Sequence, residues 1–214
     1  MTPVERLDRR APAKGDARRE ALLEALASQL SQGASLDTLN VADITRQAGV
    51  TRSAFYFYFE NKAYAVAALM GEVYDGAAAA SDALMSREGT PRERLSRMLN
   101  GLFDVIGSHQ HLYRAMLEAR GTDEAVRRMW DADRDSFIEP VADLIRAERA
   151  AGRAPDGADA SALATVLLDL NDRALERWLS GTGPERDTHL DALVSVWLRS
   201  IYGSSSESTE GDQA

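Results

Sequence analysis

The sequence predicts an all-α protein of about nine helices, and three observations carry that fold class. Apolar residues recur at i, i+3 and i+4 through most of the chain. Gly and Pro punctuate the intervals between those stretches. Strand-length alternation occurs nowhere outside one short aromatic run, and no segment repeats at a fixed period.

Residues 1–15 are polar, hold two Pro and lack periodicity, so they read as a flexible arm. The first helix, 16–32, carries Leu22, Leu23, Leu26 and Leu30 on one face, with Asp16 as its N-cap and Gly33 as its stop. A short second helix over about 41–48 sets Val41, Ile44 and Ala48 on one side and ends at Gly49. Thr51 then caps a third, very short helix carrying "AFYFYF". A fourth runs from Asn61 to about Ser86, broken by "REGTPRER", whose Pro91 suits a helix's first turn. Further helices are expected at about 91–107, 109–119, 122–151, 159–181 and 185–202, separated by Gly107, Gly121, "GRAPDGAD" and "GTGP". The tail 204–214, "SSSESTEGDQA", reads as disordered by composition.

Composition narrows the function classes. At 214 residues, 44% hydrophobic and 28% charged, the chain is globular, and no apolar run reaches the length that spans a bilayer. The N-terminal stretch lacks the apolar core of a signal peptide, so the expected location is cytoplasmic. Without cysteine there is no disulfide framework, thiolate metal site or Cys nucleophile. Net charge is −9, but residues 1–64 hold nine Lys/Arg against eight Asp/Glu, so the remainder carries −10. Only the N-terminal part tolerates a phosphate backbone; ordinary variation of solvated faces would also produce such an asymmetry.

The aromatic run Phe55, Tyr56, Phe57, Tyr58 and Phe59 takes five of the chain's fourteen aromatics. A lone strand in a helical chain would leave its backbone unpaired, so a helix is the better reading. On a helix Phe55 and Phe59 share a face, which would lock it onto its neighbours, while Ser53, Tyr56 and Phe57 point away. The second and third helices, joined through Gly49-Val50, form a helix-turn-helix spacing whose second helix enters the major groove. Arg46, Thr51, Arg52 and Ser53 are then placed for phosphate or base edges, and the Tyr56 and Tyr58 hydroxyls for phosphates. Phe57 suits a thymine methyl, and Lys62 supplies a phosphate charge beside a helix N-terminus. Burial of the whole run in a three-helix core is the competing reading.

"VADITRQAGVTRSAFYFYFENKAYAVAAL" resembles the helix-turn-helix signature of the tetracycline-repressor (TetR) family. "GSHQHLYRA", "LNDRALERWLSG" and "VWLRSIYG" are similar to stretches of its EthR-type branch. The resemblance implies a DNA reader over 16–64, a larger helical ligand-binding and dimerisation domain over 65–203, and a homodimer through the last two helices. Those helices carry more large apolar residues than one solvent face needs, among them Val166, Leu170, Trp178 and Trp197, although well-buried helices of a monomer would also use them. By the same resemblance a small-molecule effector would be lined by Leu95, Leu102, Ile106, Trp130, Arg134, Phe137, Asn171, Leu175 and Trp197. Arg134 and Asn171 interrupt apolar stripes, which fits polar groups that orient a mostly apolar ligand; partners inside the protein would explain them equally. Arg94, Leu95 and Arg134 depart from the EthR pattern, so a different effector is expected, one that is anionic or amphipathic and pairs with Arg134.

The expected function is a dimeric regulator, most simply a repressor, that binds a near-palindromic double-stranded DNA operator and is released by the effector. No membrane partner, cofactor or metal is expected. His109 and His111 are two apart and diverge on a helix. "DADRD" at 131–135 lacks the Gly and the closing Glu of a calcium loop, having Ser136 and Ala142 there. No phosphate-cradling loop or nucleophile elbow is present, which leaves an enzyme unsupported. The competing class is a ligand-binding or interaction protein on this scaffold that no longer binds DNA.

Overall fold

A computed structural model describes residues 17–86 and 88–203, and those residues contain eleven helical segments and no strand. The arm 1–15, the expected cap Asp16 and the tail 204–214 lie outside them. The segments are α1 (Ala17–Ser31), α2 (Val41–Gln47), α3 (Arg52–Tyr58), α4 (Lys62–Ala68), α5 (Gly71–Met85), α6 (Pro91–Ser108), α7 (Gln110–Thr122), α8 (Glu124–Asp135), α9 (Ile138–Ala150), α10 (Ala160–Leu179) and α11 (Arg186–Tyr202).

Two expected helices are each broken once. The stretch 61–86 divides after Leu69, where Leu69 N–H and Met70 N–H donate three residues back to Val66 and Ala67 and Gly71 restarts the helix. The stretch 122–151 divides at Ser136 because Pro140 has no N–H for a carbonyl four residues earlier and its ring crowds that carbonyl. Pro140 falls instead in the first turn of α9, where proline fits.

The described chain divides into two compact units, one holding residues up to Ala77 with Val105–Asp133, the other Ala78–Asp104 with the residues from Arg134 onward. In the first unit α1 packs on α2, α3, α4 and α7, and α4 lies along α7. Its core is built from Leu22, Leu26, Leu30, Ile44, Phe55, Phe59 and Val66, none more than 2% exposed. Each such side chain contributes about 1.5–3 kcal/mol by leaving water. Gly76 of α5 lies so close to Val105 that a Cβ there would sit 2.6 Å from a valine methyl, so a small residue is required. In the second unit α10 packs on α9 and α11. No helix among the described residues is long and apolar enough to cross a membrane.

Candidate nucleic-acid interface

The reading element is set by its caps. Asn40 accepts the Ala42 N–H at 2.9 Å to start α2. Gly49, at φ +66, ends it with a paired turn in which Gly49 N–H donates to Arg46 O and Val50 N–H to Thr45 O. Thr51 Oγ1 then accepts the Ala54 N–H at 3.2 Å to start α3. Two short helices are thereby held at a fixed turn.

On α3, Phe55 is fully buried and Phe59 is 2% exposed, their ring centroids 5.5 Å apart. The opposite face is open. Thr51, Arg52, Ser53, Tyr56 and Phe57 are all exposed, with Tyr56 at 41% and Phe57 at 46%. Arg52 lies over the Tyr56 ring, 5.7 Å from its centroid, and its Nη2 donates to the Tyr56 hydroxyl at 3.4 Å. Arg46 is exposed on α2 and paired with Asp43.

Two expected contacts are corrected. Tyr58 is 7% exposed and belongs to the inward set, so its ring does not face solvent with Tyr56 and Phe57. Lys62 is the first residue of α4, and its ammonium donates to the carbonyls of Leu36 at 2.7 Å, Leu39 at 2.9 Å and Asp37 at 3.5 Å. Three donors meet three carbonyls, so the side chain closes the loop between α1 and α2 rather than reaching outward. α7 and the residue after it add two more ties. Glu118 accepts the Leu36 N–H at 2.7 Å, and Asn61, the N-cap of α4, donates to Asp123, whose other oxygen caps α8.

Sequence comparison fits this geometry. The description "Bacterial regulatory proteins, tetR family" matches residues 20–69, and "Transcriptional regulator EthR, C-terminal domain" matches 95–203. The HTH-type transcriptional regulator EthR of Mycobacterium tuberculosis (strain CDC 1551 / Oshkosh) is 36% identical over 199 residues, covering 91% of this chain and 92% of that protein. The chain belongs to the TetR family. Among solved structures, a putative TetR-family regulator from Rhodococcus sp. shares the fold with a TM-score of 0.65 at 24% identity, covering 84% of this chain and 97% of that one. The SmeT–triclosan complex does so with a TM-score of 0.62 at 21% identity, over 85% of this chain and 91% of that one. This TetR-family member is accordingly a helix-turn-helix transcriptional regulator, with α3 in the position of the recognition helix.

The expected effector residues are divided between the units. In the first, Ile106 is fully buried, and Trp130 meets Tyr113 edge-on at 5.4 Å with the Arg120 guanidinium 5.1 Å from its ring centroid. In the second, Leu95, Leu175 and Trp197 are no more than 1% exposed, while Leu102 and Phe137 are half-buried. Both polar residues have partners within the protein. Arg134 Nε lies 3.4 Å from Asp172 Oδ2, and the Trp197 indole N–H donates to Asn171 Oδ1 at 3.0 Å. Asn171 is only 2% exposed, so its interaction with Trp197 is buried. A polar groove of about 340 Å³ in the first unit, lined in part by Ser31, Ser35, His111 and Arg114, includes none of the nine expected residues.

The carbonyl trap on Lys62 has a measurable consequence. Lys62→Met is expected to lower stability by about 2 kcal/mol, the value of hydrogen bonds to a charged group, read by urea unfolding. The salt dependence of DNA affinity should keep its slope; a slope shallower by about one would restore a phosphate contact.

Proposed function

We propose that the protein acts as a homodimeric repressor of a near-palindromic operator and is released when a mostly apolar small molecule fills the larger domain. The open face of α3, with Arg52, Tyr56 and Phe57 presented over a buried aromatic base, carries the DNA-binding part. Val166 and Leu170, one turn apart on α10, and Val196 on α11 are 40–56% exposed, and they support pairing through the last two helices. A two-fold dimer sets its two α3 helices about 34–36 Å apart, in successive major grooves. The existing Arg134–Asp172 pair favours a neutral effector. An effector carboxylate would instead compete with Asp172 for Arg134. The triclosan held by SmeT, of the same fold, is a precedent for an apolar ligand. Binding would shift an existing equilibrium toward a spacing of the two α3 helices that mismatches the operator.

The test is a mobility shift on DNA flanking the protein's own gene, with and without a panel of apolar phenols and aryl amides. Retardation that the panel reverses is the expected result. No retardation of any flanking fragment at low salt defeats the DNA reading. Leu170→Asp should convert the dimer to monomer in analytical ultracentrifugation and weaken operator binding at least a hundredfold, since one reading helix then binds alone. A Leu170→Asp protein that stays dimeric would place the interface elsewhere.

A further inference from the structure

We propose that Phe57 reads the 5-methyl group of a thymine in each half-site of the operator. The inference rests on the DNA-binding reading and adds base chemistry to it. Among the described residues of the first unit, the exposed large apolar side chains are Tyr56 and Phe57, neighbours on the recognition helix. Their chemistries differ. Tyr56 carries Arg52 across its ring and bonds it through the hydroxyl, so this pair presents a cation suited to phosphate or guanine. Phe57 has no hydrogen-bonding atom in its side chain. Its ring meets Tyr58 at 5.0 Å and 89°, a contact with a buried residue that restrains the ring while nearly half of its surface stays open.

In the major groove the thymine methyl is the one apolar protrusion of a base pair, whereas the other edges present donors and acceptors. A phenyl ring laid over those edges would strand them without partners. Laid over a methyl, it buries apolar surface on both sides. A phenyl side chain at position 57 thus selects thymine by attraction and disfavours the alternatives by desolvation.

Sequences bound by the full-length protein are selected from a random duplex library, and each enriched thymine is then replaced by deoxyuridine. That change removes the methyl and keeps pairing and hydrogen-bonding edges intact. One thymine position should lose about fourfold in affinity, and the symmetric pair about fifteenfold, the effect of one and two buried methyl groups. Phe57→Ala should weaken the thymine duplex similarly and become indifferent to deoxyuridine, while Phe57→Leu retains part of the discrimination. Equal wild-type affinity for thymine and deoxyuridine at every enriched position overturns the proposal and leaves DNA binding intact. So does a Phe57→Ala protein that still discriminates. Failure to enrich any sequence strikes the DNA-binding reading itself.

Discussion

Phe55→Ala is expected to destabilise the protein by about 4 kcal/mol and to lower its melting temperature by roughly 10 °C. The side chain is fully buried and packs on Tyr56 and Phe59 at 5.4 and 5.5 Å. Its removal leaves a cavity at the most deeply buried point of a helix of seven residues, where that helix is tied to its neighbours. A helix that short has no independent stability in water, so its orientation comes from docking alone. DNA binding should therefore fail even at temperatures where the remaining helices persist in circular dichroism. The neighbouring Phe57→Ala, on the open face, should stay within about 0.5 kcal/mol of wild type. The contrast separates the two roles of the aromatic run: a Phe55→Ala melting curve within 2 °C of wild type would mean that α3 is positioned by something other than this ring.

The sequence makes much of the reading element legible because its signals are local. Asn40, Thr51 and Asn61 each precede a helix and cap it, and Gly49 takes the positive φ that ends α2. The inward pair Phe55 and Phe59 follows from a spacing of four. Tyr58 was readable too: three residues from Phe55, it lies about 60° from it on the helix, on the buried side. Weighting its hydroxyl over its position sends it the wrong way. Pro140 likewise marks the break between α8 and α9 for a reader who asks which carbonyl its missing N–H would serve. Lys62 is different in kind. Its acceptors at positions 36, 37 and 39 are brought to it only by tertiary packing, which no local spacing reveals. The same holds for Arg134 with Asp172 and for Asn171 with Trp197, partners 38 and 26 positions apart.

Glu148→Gln should cost about 3 kcal/mol near pH 7, with the cost shrinking in acid. Glu148 is 4% exposed on α9 and receives both Arg153 Nε at 3.0 Å and Arg153 Nη2 at 2.9 Å. Arg94, 8% exposed, reaches within 3.8 Å of the same carboxylate and donates to Ser86 O at 3.1 Å. Arg153 is largely open to water, so removing the negative charge strands Arg94 above all. The Arg153 hydrogen bonds, followed by the charges of Arg153 and Arg94, hold the Glu148 carboxyl below its ordinary value. A carboxyl depressed in the folded state stabilises fully above its unfolded value, about 4.3, and loses that contribution as pH falls through the folded value. Wild type and Glu148→Gln should therefore converge as pH drops below about 4, in urea unfolding at fixed protein concentration. Tyr202 gives the opposite edge: burial first, and the Glu148 charge after it, push its phenol up, so its contribution is present below about 10 and fades in alkali. Because the lasting damage is a buried cation without its anion, Arg94→Met combined with Glu148→Leu should be more stable than Glu148→Gln alone. If the double variant is instead the less stable, the Arg94–Glu148 pair contributes net stability and the stranded-cation account fails.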